Sequence, residues 1–299
     1  MTKKEMQEFF ENQLQIYKGI LFHNQKFAEG NNETFRYTLD CPEYQELREK
    51  YSLDEIAGKG SDFTRAKRLL HYLAPRLTHS SWYDNHVPCN ALDLLAYSLN
   101  NPEQGINCLN KSKILEECCL ALGIYARRVF IMPFSPYDFD NHVVTEIYDR
   151  QKKKWIMLDP TTDGYFVDER KTPLSLLEMR EKFANDQFVT YVRSTDSLKD
   201  LKKLQAKYVD GNAYICKNLF YFMVDQECRF DDSDHVLRFC PENYSIRRNT
   251  IGNAQFRINH MPEGHEGSLK YWTARLEREK KAEERQLTNI EIMRMPPVG

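Results

Sequence analysis

The pentapeptide GINCL at residues 105–109 decides how this chain is interpreted, because a loop is predicted to become a helix there. Apolar positions recur at helical spacing from 114 to 122, and Gly123 is typical of the residue that follows a helix end. A helix that begins at Cys108 places the thiol near free backbone N–H groups and partial positive charge, which favour the reactive thiolate. The stretch therefore predicts a nucleophilic cysteine at a helix N-terminus.

Two predicted strands downstream supply partners for this cysteine. His142 opens the strand 142–149, and Asp159 closes the strand 154–159. Because only a short polar turn separates them, the strands should pair as an antiparallel hairpin. With the turn centred near residue 151, His142 lies across from about residue 160, so that Asp159 is within one residue of that partner. A histidine that activates a thiol, itself oriented by a carboxylate, makes a nucleophilic site.

The order Cys, His, Asp on a helix followed by a hairpin resembles the transglutaminase-like superfamily of papain-like folds. The matching letters are GINC at 105–108, ALGIYARR at 121–128, NHVV at 141–144 and WIMLDPT at 155–161. The resemblance implies that Cys108 is the nucleophile, His142 the general base and acid, and Asp159 the orienting carboxylate. The sequence departs from the family in the two residues between Gly105 and Cys108, and in the Val-Val pair after the histidine. Substrate specificity is therefore not transferred.

The resemblance implies acyl transfer through a thioester on Cys108. Hydrolysis by a cysteine peptidase or amidase is favoured, because nothing in the chain identifies a site for an amine acceptor. A protein-glutamine transglutaminase is the alternative. A non-catalytic interaction domain that retains the fold is another alternative. Its sequence signature would be the loss of a triad residue, and all three triad residues are present. Peptide N-glycanases that share this core usually carry CxxC zinc pairs, which the sequence lacks.

An acyl-transfer intermediate needs two hydrogen-bond donors for its oxyanion. One is expected to be the backbone N–H of Cys108. The second is sought among upstream side chains with an N–H, which are Trp82, Asn85 and Gln104, with Gln104 or Asn85 favoured. His86 is a rival base, since the letters DNH at 84–86 repeat those at 140–142.

The loop 133–141 is a candidate wall or lid for the substrate cleft, because it carries Phe134, Tyr137 and Phe139. Arg127 either binds a substrate carboxylate or supports the sheet, and the structural role is favoured. The acidic residues and the histidine between 231 and 235 form either a metal site or, as we favour, a solvated turn. Trp155 is expected to pack under the hairpin.

The surrounding patterns predict an α+β protein with a papain-like or transglutaminase-like core, in which the nucleophile helix packs on an antiparallel sheet. Three segments are predicted: a mainly helical region at 1–80, the catalytic core at 81–175, and a mixed region at 176–299 that is β-rich and then a charged helix. Within them we expect helices at 3–28, 43–52, 61–74, from Pro88 onward, 174–183 and 269–287, a short strand at 35–39, a strand at 125–132, β structure across 213–260, and a loose tail from 293.

Composition limits the remaining possibilities. A net charge of −2 gives no general attraction to nucleic acid or to a membrane surface, and no apolar run of about 18 residues is present. Charged residues interrupt any secretory signal at the N-terminus, so a cytoplasmic location is expected. The eight cysteines are then free thiols, and without a CxxC pair no structural zinc is predicted. We expect a peptide or protein substrate, no cofactor and no metal, and the sequence leaves the oligomeric state open.

Overall fold

The structure is a computed structural model that describes residues 2–138 and 140–298. The helices within these ranges are α1 (Lys3–His23), α2 (Pro42–Lys50), α3 (Leu53–Ala57), α4 (Asp62–Leu73), α5 (Ala91–Asn100), α6 (Cys108–Ala121), α7 (Leu176–Ala184), α8 (Leu201–Lys207), α9 (Val209–Asn218), α10 (Ile246–Asn259), α11 (Glu266–Lys281) and α12 (Glu291–Arg294). The strands are β1 (Arg36–Tyr37), β2 (Ala126–Met132), β3 (His142–Asp149), β4 (Lys154–Leu158), β5 (Gly164–Val167), β6 (Thr190–Arg193), β7 (Tyr221–Asp225), β8 (Glu227–Cys228) and β9 (Val236–Phe239).

The main sheet has five strands in the order β4-β3-β2-β7-β9, and every neighbouring pair in it is antiparallel. Two small sheets accompany it, an antiparallel pair of β5 with β6 and a parallel pair of β1 with β8. The prediction of an α+β protein built on an antiparallel sheet is confirmed. Among the described residues, no helix is both long enough and apolar enough to cross a bilayer.

Two hydrophobic cores lie on opposite faces of this sheet. Along β4, Ile156 and Leu158 belong to one core while Met157 belongs to the other, as the alternation of a strand requires. The first core packs the sheet against α4 and α6, and the second packs it against α7 and α9. Both cores draw residues from all three predicted segments, whose boundaries stay predictions.

The hairpin of β3 and β4 has a register one residue away from the predicted one. Thr145 lies opposite Leu158, and the same register continued to His142 gives residue 161 as its partner, not 160. Residues two apart on a strand share a face, so Asp159 projects on the same side as His142. The predicted register would have turned the carboxylate to the other face.

Helix α6 is pinned to the sheet by two hydrogen bonds between buried groups. The Ser112 hydroxyl donates to the carbonyl oxygen of Val143 at 2.8 Å, and the Thr145 hydroxyl donates to the carbonyl oxygen of Ser112 at 3.0 Å. Since β3 begins at His142, these bonds fix the start of α6 against the start of that strand.

The loop before α6 is shaped by a glycine and by an asparagine cap. Gly105 has φ of +69°, and a Cβ there would lie 2.9 Å from the neighbouring segment 78–80. The backbone of Ile106 exchanges two hydrogen bonds of 3.0 Å with that segment. The Asn107 side chain accepts from the backbone N–H of Asn110 and caps the helix. The nucleophile loop is therefore held on one side by residues 78–80.

Several predicted boundaries are wrong for identifiable reasons. Helix α1 ends at His23 because the Asn24 side chain bonds the carbonyl of residue 20. Helix α5 begins at Ala91, not near Pro88, because Asn90 caps it through the N–H of residue 93. The region 213–260 is not mainly β: it holds part of α9 and all of α10. Four of the six positions buried in α9, which are 209, 212, 213 and 216, follow helical spacing.

Residues 293–295 are not loose, although a loose tail was predicted from 293 onward. Met293 is buried within α12, and the carbonyl oxygen of Met295 accepts a hydrogen bond of 2.9 Å from the indole of Trp155. Arg127 donates to the carbonyl oxygen of Met293 at 2.8 Å. Residues 293–295 are thus fastened to the central sheet.

Candidate active site

Cys108, His142 and Asp159 line one cleft of about 620 Å³. The start of α6 and the start of β3 form one wall, and β6 and the first turns of α9 supply the other. Cys108 is partly exposed in this cleft, whereas His142 and Asp159 are buried, with 4% and 2% of their surface exposed. The structure therefore brings together the three residues that the sequence proposed.

Asp159 holds the ring of His142 from behind. Its Oδ2 lies 3.1 Å from Nε2 of the imidazole. The same carboxylate accepts from the backbone N–H of Thr161 and from the hydroxyl of Thr162, each at 2.9 Å. Because Nε2 faces the carboxylate, Nδ1 is the nitrogen that remains for the sulfur of Cys108. This is the division of roles that a histidine between a thiol and a carboxylate requires.

The electrostatics favour a charged pair at this position. Burial opposes the imidazolium, but the Asp159 carboxylate and the Cys108 side chain raise the pKa of His142 to about 10. Burial also opposes the charged carboxylate, yet His142 and the two hydrogen bonds from residues 161 and 162 lower the pKa of Asp159. At neutral pH the histidine is thus protonated and the aspartate is ionised.

Tyr214, on α9, covers the imidazole and was not predicted from the sequence. Its ring packs edge to face on His142, with the ring centroids 5.4 Å apart. Its hydroxyl lies 3.2 Å from Oδ1 of Asp140 and 3.2 Å from the carbonyl oxygen of Asn141, which ties α9 to the residues just before β3. A lone tyrosine in a segment interpreted as β structure gives no sequence signal for this role.

His79 and Ser81 also line the cleft, and neither was predicted. They lie at or beside the segment that pairs with the backbone of Ile106, and Nε2 of His79 is 3.1 Å from the Ser81 hydroxyl. Burial, Lys111 and His142 lower the pKa of His79, so the ring is neutral and offers one N–H. The only available signal was their position upstream of the GINCL loop.

None of the three predicted oxyanion donors lines the cleft. Trp82 is 95% exposed. The Asn85 side chain turns to the helix cap and accepts from the amide of Asn107 at 3.0 Å. The Gln104 amide bonds Glu103 on the surface. These placements correct the expectation, because an indole or amide outside the cleft reaches no oxyanion there.

The rival base His86 is also remote from the cleft. Its ring is half-exposed, bonds the carboxylate of Asp84 and packs between Tyr83 and Tyr97. The repeated letters DNH therefore produce one histidine at the start of a strand and another on a surface loop.

A second group of serine, histidine and aspartate lies elsewhere on the surface. Oδ2 of Asp163 and Oγ of Ser194 lie 2.9 and 3.0 Å from the same ring nitrogen, Nδ1 of His71. A histidine relays a proton between two different ring nitrogens, so this arrangement does not make a catalytic relay.

Two of the three aromatic residues of the loop 133–141, Phe134 and Tyr137, do not line the cleft. Phe134 packs on Phe220 with centroids 5.0 Å apart, and Tyr137 packs on Phe256 at 5.2 Å. Phe139, the third residue of that prediction, lies outside the described residues. The loop reaches the cleft through Asp140 and Asn141 instead.

Arg127 has a structural position. Its guanidinium is buried, contacts Glu146 at 2.6 Å and lies over the ring of Trp155 at 3.9 Å. Trp155 itself is buried under the hairpin. In the acidic loop, Asp232 pairs with Arg128 at 2.7 Å. The described residues contain no group of three or more histidine, cysteine or carboxylate side chains placed to hold a metal ion.

The other seven cysteines differ from Cys108 in their surroundings. Five are fully buried, and Cys41 and Cys89 are half-buried. Burial raises the pKa of all seven thiols, to about 11 for Cys89 and about 12 for Cys240. A raised pKa makes a thiol a poor nucleophile at neutral pH.

Residues 50–160 match the family model of the transglutaminase-like superfamily. The resemblance recognised in the sequence is thereby confirmed over this span, which contains Cys108, His142 and Asp159 but not Tyr214. The superfamily points to thiol-dependent acyl transfer or peptidase chemistry, and it includes inactive members. Comparisons with curated proteins and with solved structures gave no match.

Proposed function

We propose, from the match of residues 50–160 to the transglutaminase-like superfamily, that this chain is a cysteine peptidase or amidase with a papain-like core. It cleaves peptide or protein amides through a thioester on Cys108, with water as the acyl acceptor. The observation that carries the proposal is the buried pair of His142 and Asp159 next to Cys108 in one cleft.

The reaction starts from a charged pair, the thiolate of Cys108 and the imidazolium of His142. The thiolate of Cys108 attacks the carbonyl carbon of the substrate, and a C–S bond forms. The imidazolium of His142 gives its proton to the amine nitrogen as the C–N bond breaks, which leaves a thioester and a neutral imidazole. Water then attacks the thioester and gives a proton to His142. The C–S bond breaks, the acid leaves, and the thiolate and imidazolium are restored.

Oxyanion stabilisation comes from the loop around the nucleophile. The Cys108 N–H is at the first position of α6, and no backbone carbonyl of the described residues accepts from it. Of the upstream side chains, His79 and Ser81 reach the cleft, and the neutral ring of His79 offers an N–H. We assign the second donor to one of these two in place of the residues proposed from sequence.

The first test is site-resolved alkylation of the native protein. Brief treatment with iodoacetamide at about pH 6, where an ordinary thiol is almost fully protonated, should label Cys108 selectively. His142→Ala should lower that labelling by about 10-fold or more, since it removes the imidazolium. His86→Ala is the matched control and should leave it unchanged. Equal labelling of Cys108 in wild type and His142→Ala would overturn the proposal.

The second test separates water from an amine as acceptor. A peptide library incubated with the protein, with and without a fluorescent primary amine, is analysed by mass spectrometry. Cleaved peptides that carry free carboxylates, lost in Cys108→Ala, support hydrolysis. Incorporation of the amine into glutamine side chains would identify a transglutaminase instead. Selective alkylation without either product from a broad library would favour the non-catalytic alternative.

A further inference from the structure

Lys111 is a buried lysine directly behind the nucleophile. It follows Cys108 by three positions on α6, so the two residues share a helix face. Helical side chains lean toward the N-terminus of their helix, which directs Lys111 toward the Cys108 end. Only 2% of its surface is exposed, and it does not line the cleft. Its side chain thus lies next to the site without forming part of the cleft wall.

The ammonium group of Lys111 has no hydrogen bond or ion pair with any described residue. Burial lowers the pKa of Lys111 to about 8, and only the charges of Asp159 and Cys108 act to raise it. A buried ammonium without a close partner is costly, and proteins rarely keep one without a reason. The charges that face it are those of the active site.

A second buried lysine on the same helix makes the contrast clear. Nζ of Lys113 lies 3.1 Å from Glu116 and 3.3 Å from Glu117, so its charge is neutralised within the protein core. Among the residues that the structure describes, no carboxylate lies at such a distance from Lys111. The positive charge of Lys111 is balanced only if the neighbouring active-site residues carry a net negative charge.

The charged form of the three residues Cys108, His142 and Asp159 has that net charge. A thiolate at Cys108, an imidazolium at His142 and a carboxylate at Asp159 sum to −1. The neutral ring of His79 adds nothing. We propose, on the basis of the function proposed above, that Lys111 is a positioning residue that supplies the fourth charge and thereby favours the thiolate–imidazolium pair. It acts through Cys108 and Asp159 and touches no substrate.

Two neutral variants, Lys111→Met and Lys111→Gln, test the inference. The rate of iodoacetamide labelling at Cys108 is measured from pH 5 to pH 9 in both, in wild type and in His142→Ala, together with the melting temperature. We expect about a 10-fold slower reaction at pH 6 in both variants, and an acid limb displaced upward by about one pH unit, which corresponds to that factor. The melting temperature of Lys111→Met should stay the same or rise, because a buried charge is removed.

The outcomes separate the inference from the proposed function. In one outcome, labelling of Cys108 in wild type depends on His142, and the pH profiles of both Lys111 variants agree with the wild-type profile within about twofold. The proposed role of Lys111 as a counter-charge is then wrong, whereas the proposed function is unaffected. If only Lys111→Met changes, packing and not charge is responsible, which also overturns the inference. If wild type itself shows no His142-dependent labelling, both proposals fail. Lys113→Met is the matched control: it should lower the melting temperature and leave the labelling profile of Cys108 unchanged.

Discussion

At the scale of single residues, Asp159 does more than balance a charge. It accepts three hydrogen bonds, from His142, Thr161 and Thr162, and these fix the direction in which the imidazole points. A carboxylate held by its own neighbours cannot rotate away from the ring. The orientation of His142 therefore depends on the hydrogen bonds that hold Asp159 in place.

Asp159→Asn should preserve the shape of the site and remove the negative charge. The imidazolium then loses its main stabilising interaction, and we expect kcat/KM on an identified substrate to fall about 10³–10⁴-fold, as loss of the orienting carboxylate does in other triads. Asp163→Asn is the matched control, since that carboxylate bonds His71 on the surface. A comparable loss in both variants would argue against a specific role for Asp159.

The pKa of His142 sets the pH range of activity. Because it is raised to about 10 from an ordinary value near 6.5, the ring keeps its proton through neutral pH and loses it as the pH rises through about 10. The leaving amine then has no proton donor, so kcat/KM should fall on an alkaline limb near pH 10. In Asp159→Asn the limb should move toward neutral pH. An alkaline limb near pH 7 in wild type would contradict the assignment.

The same pair contributes to stability with a defined sign. For His142, whose pKa is raised, the contribution is complete below about pH 6.5 and is lost as the pH rises through about 10. For Asp159, whose pKa is lowered, the contribution is present above the ordinary carboxyl pKa and is lost as the pH falls through the lower value. The stabilising effect of the pair is therefore greatest between these limits.

At the scale of secondary-structure elements, the site depends on how α6 meets β3. Ser112→Ala combined with Thr145→Val removes both hydroxyls that join them and leaves two buried carbonyls without these donors. We expect the free energy of unfolding to fall by about 1–3 kcal/mol for each carbonyl that loses its donor. Alkylation of Cys108 at pH 6 should also slow, because the start of α6 can shift. Urea unfolding and labelling rates measure the two effects.

Ser98→Ala provides the control for that pair. The Ser98 hydroxyl is buried, but it has no hydrogen-bond partner among the described residues. Its removal should change neither stability nor labelling appreciably. If the double variant behaves like Ser98→Ala, the two bonds do not position the helix.

The elements that carry the site could be predicted from the sequence, because each has a strong local signal. Asn107 and Gly123 bound α6, and the polar turn 150–153 defines the hairpin. The register between β3 and β4 could not be predicted, because β3 is buried on both faces. A shift of one residue would still leave its apolar side chains buried. Tyr214 and His79 escaped prediction because they reach the cleft through tertiary packing from segments distant in the chain.

At the scale of the whole molecule, the C-terminal segment stabilises the central sheet. Removal of residues 291–299 takes away the acceptors of Arg127 and Trp155 and the buried side chains of Ile292 and Met293. We expect a loss of at least about 2–5 kcal/mol, the cost of emptying one buried aliphatic site. Removal of 296–299 alone keeps these contacts and should cost little. Equal thermal unfolding of the two truncations would contradict this account.

Because Cys108 differs from the other cysteines, the number of reactive thiols reports whether the protein is folded. Five of the other thiols are fully buried, and Cys41 and Cys89 are half-buried thiols whose pKa is raised by burial. A chromogenic disulfide reagent should therefore count about one fast thiol in the native state and eight after denaturation. Intermediate counts would report partial opening, because the buried thiols lie in both cores. We therefore expect the native chain to take a fluorophore or a tether at Cys108 without replacement of any cysteine.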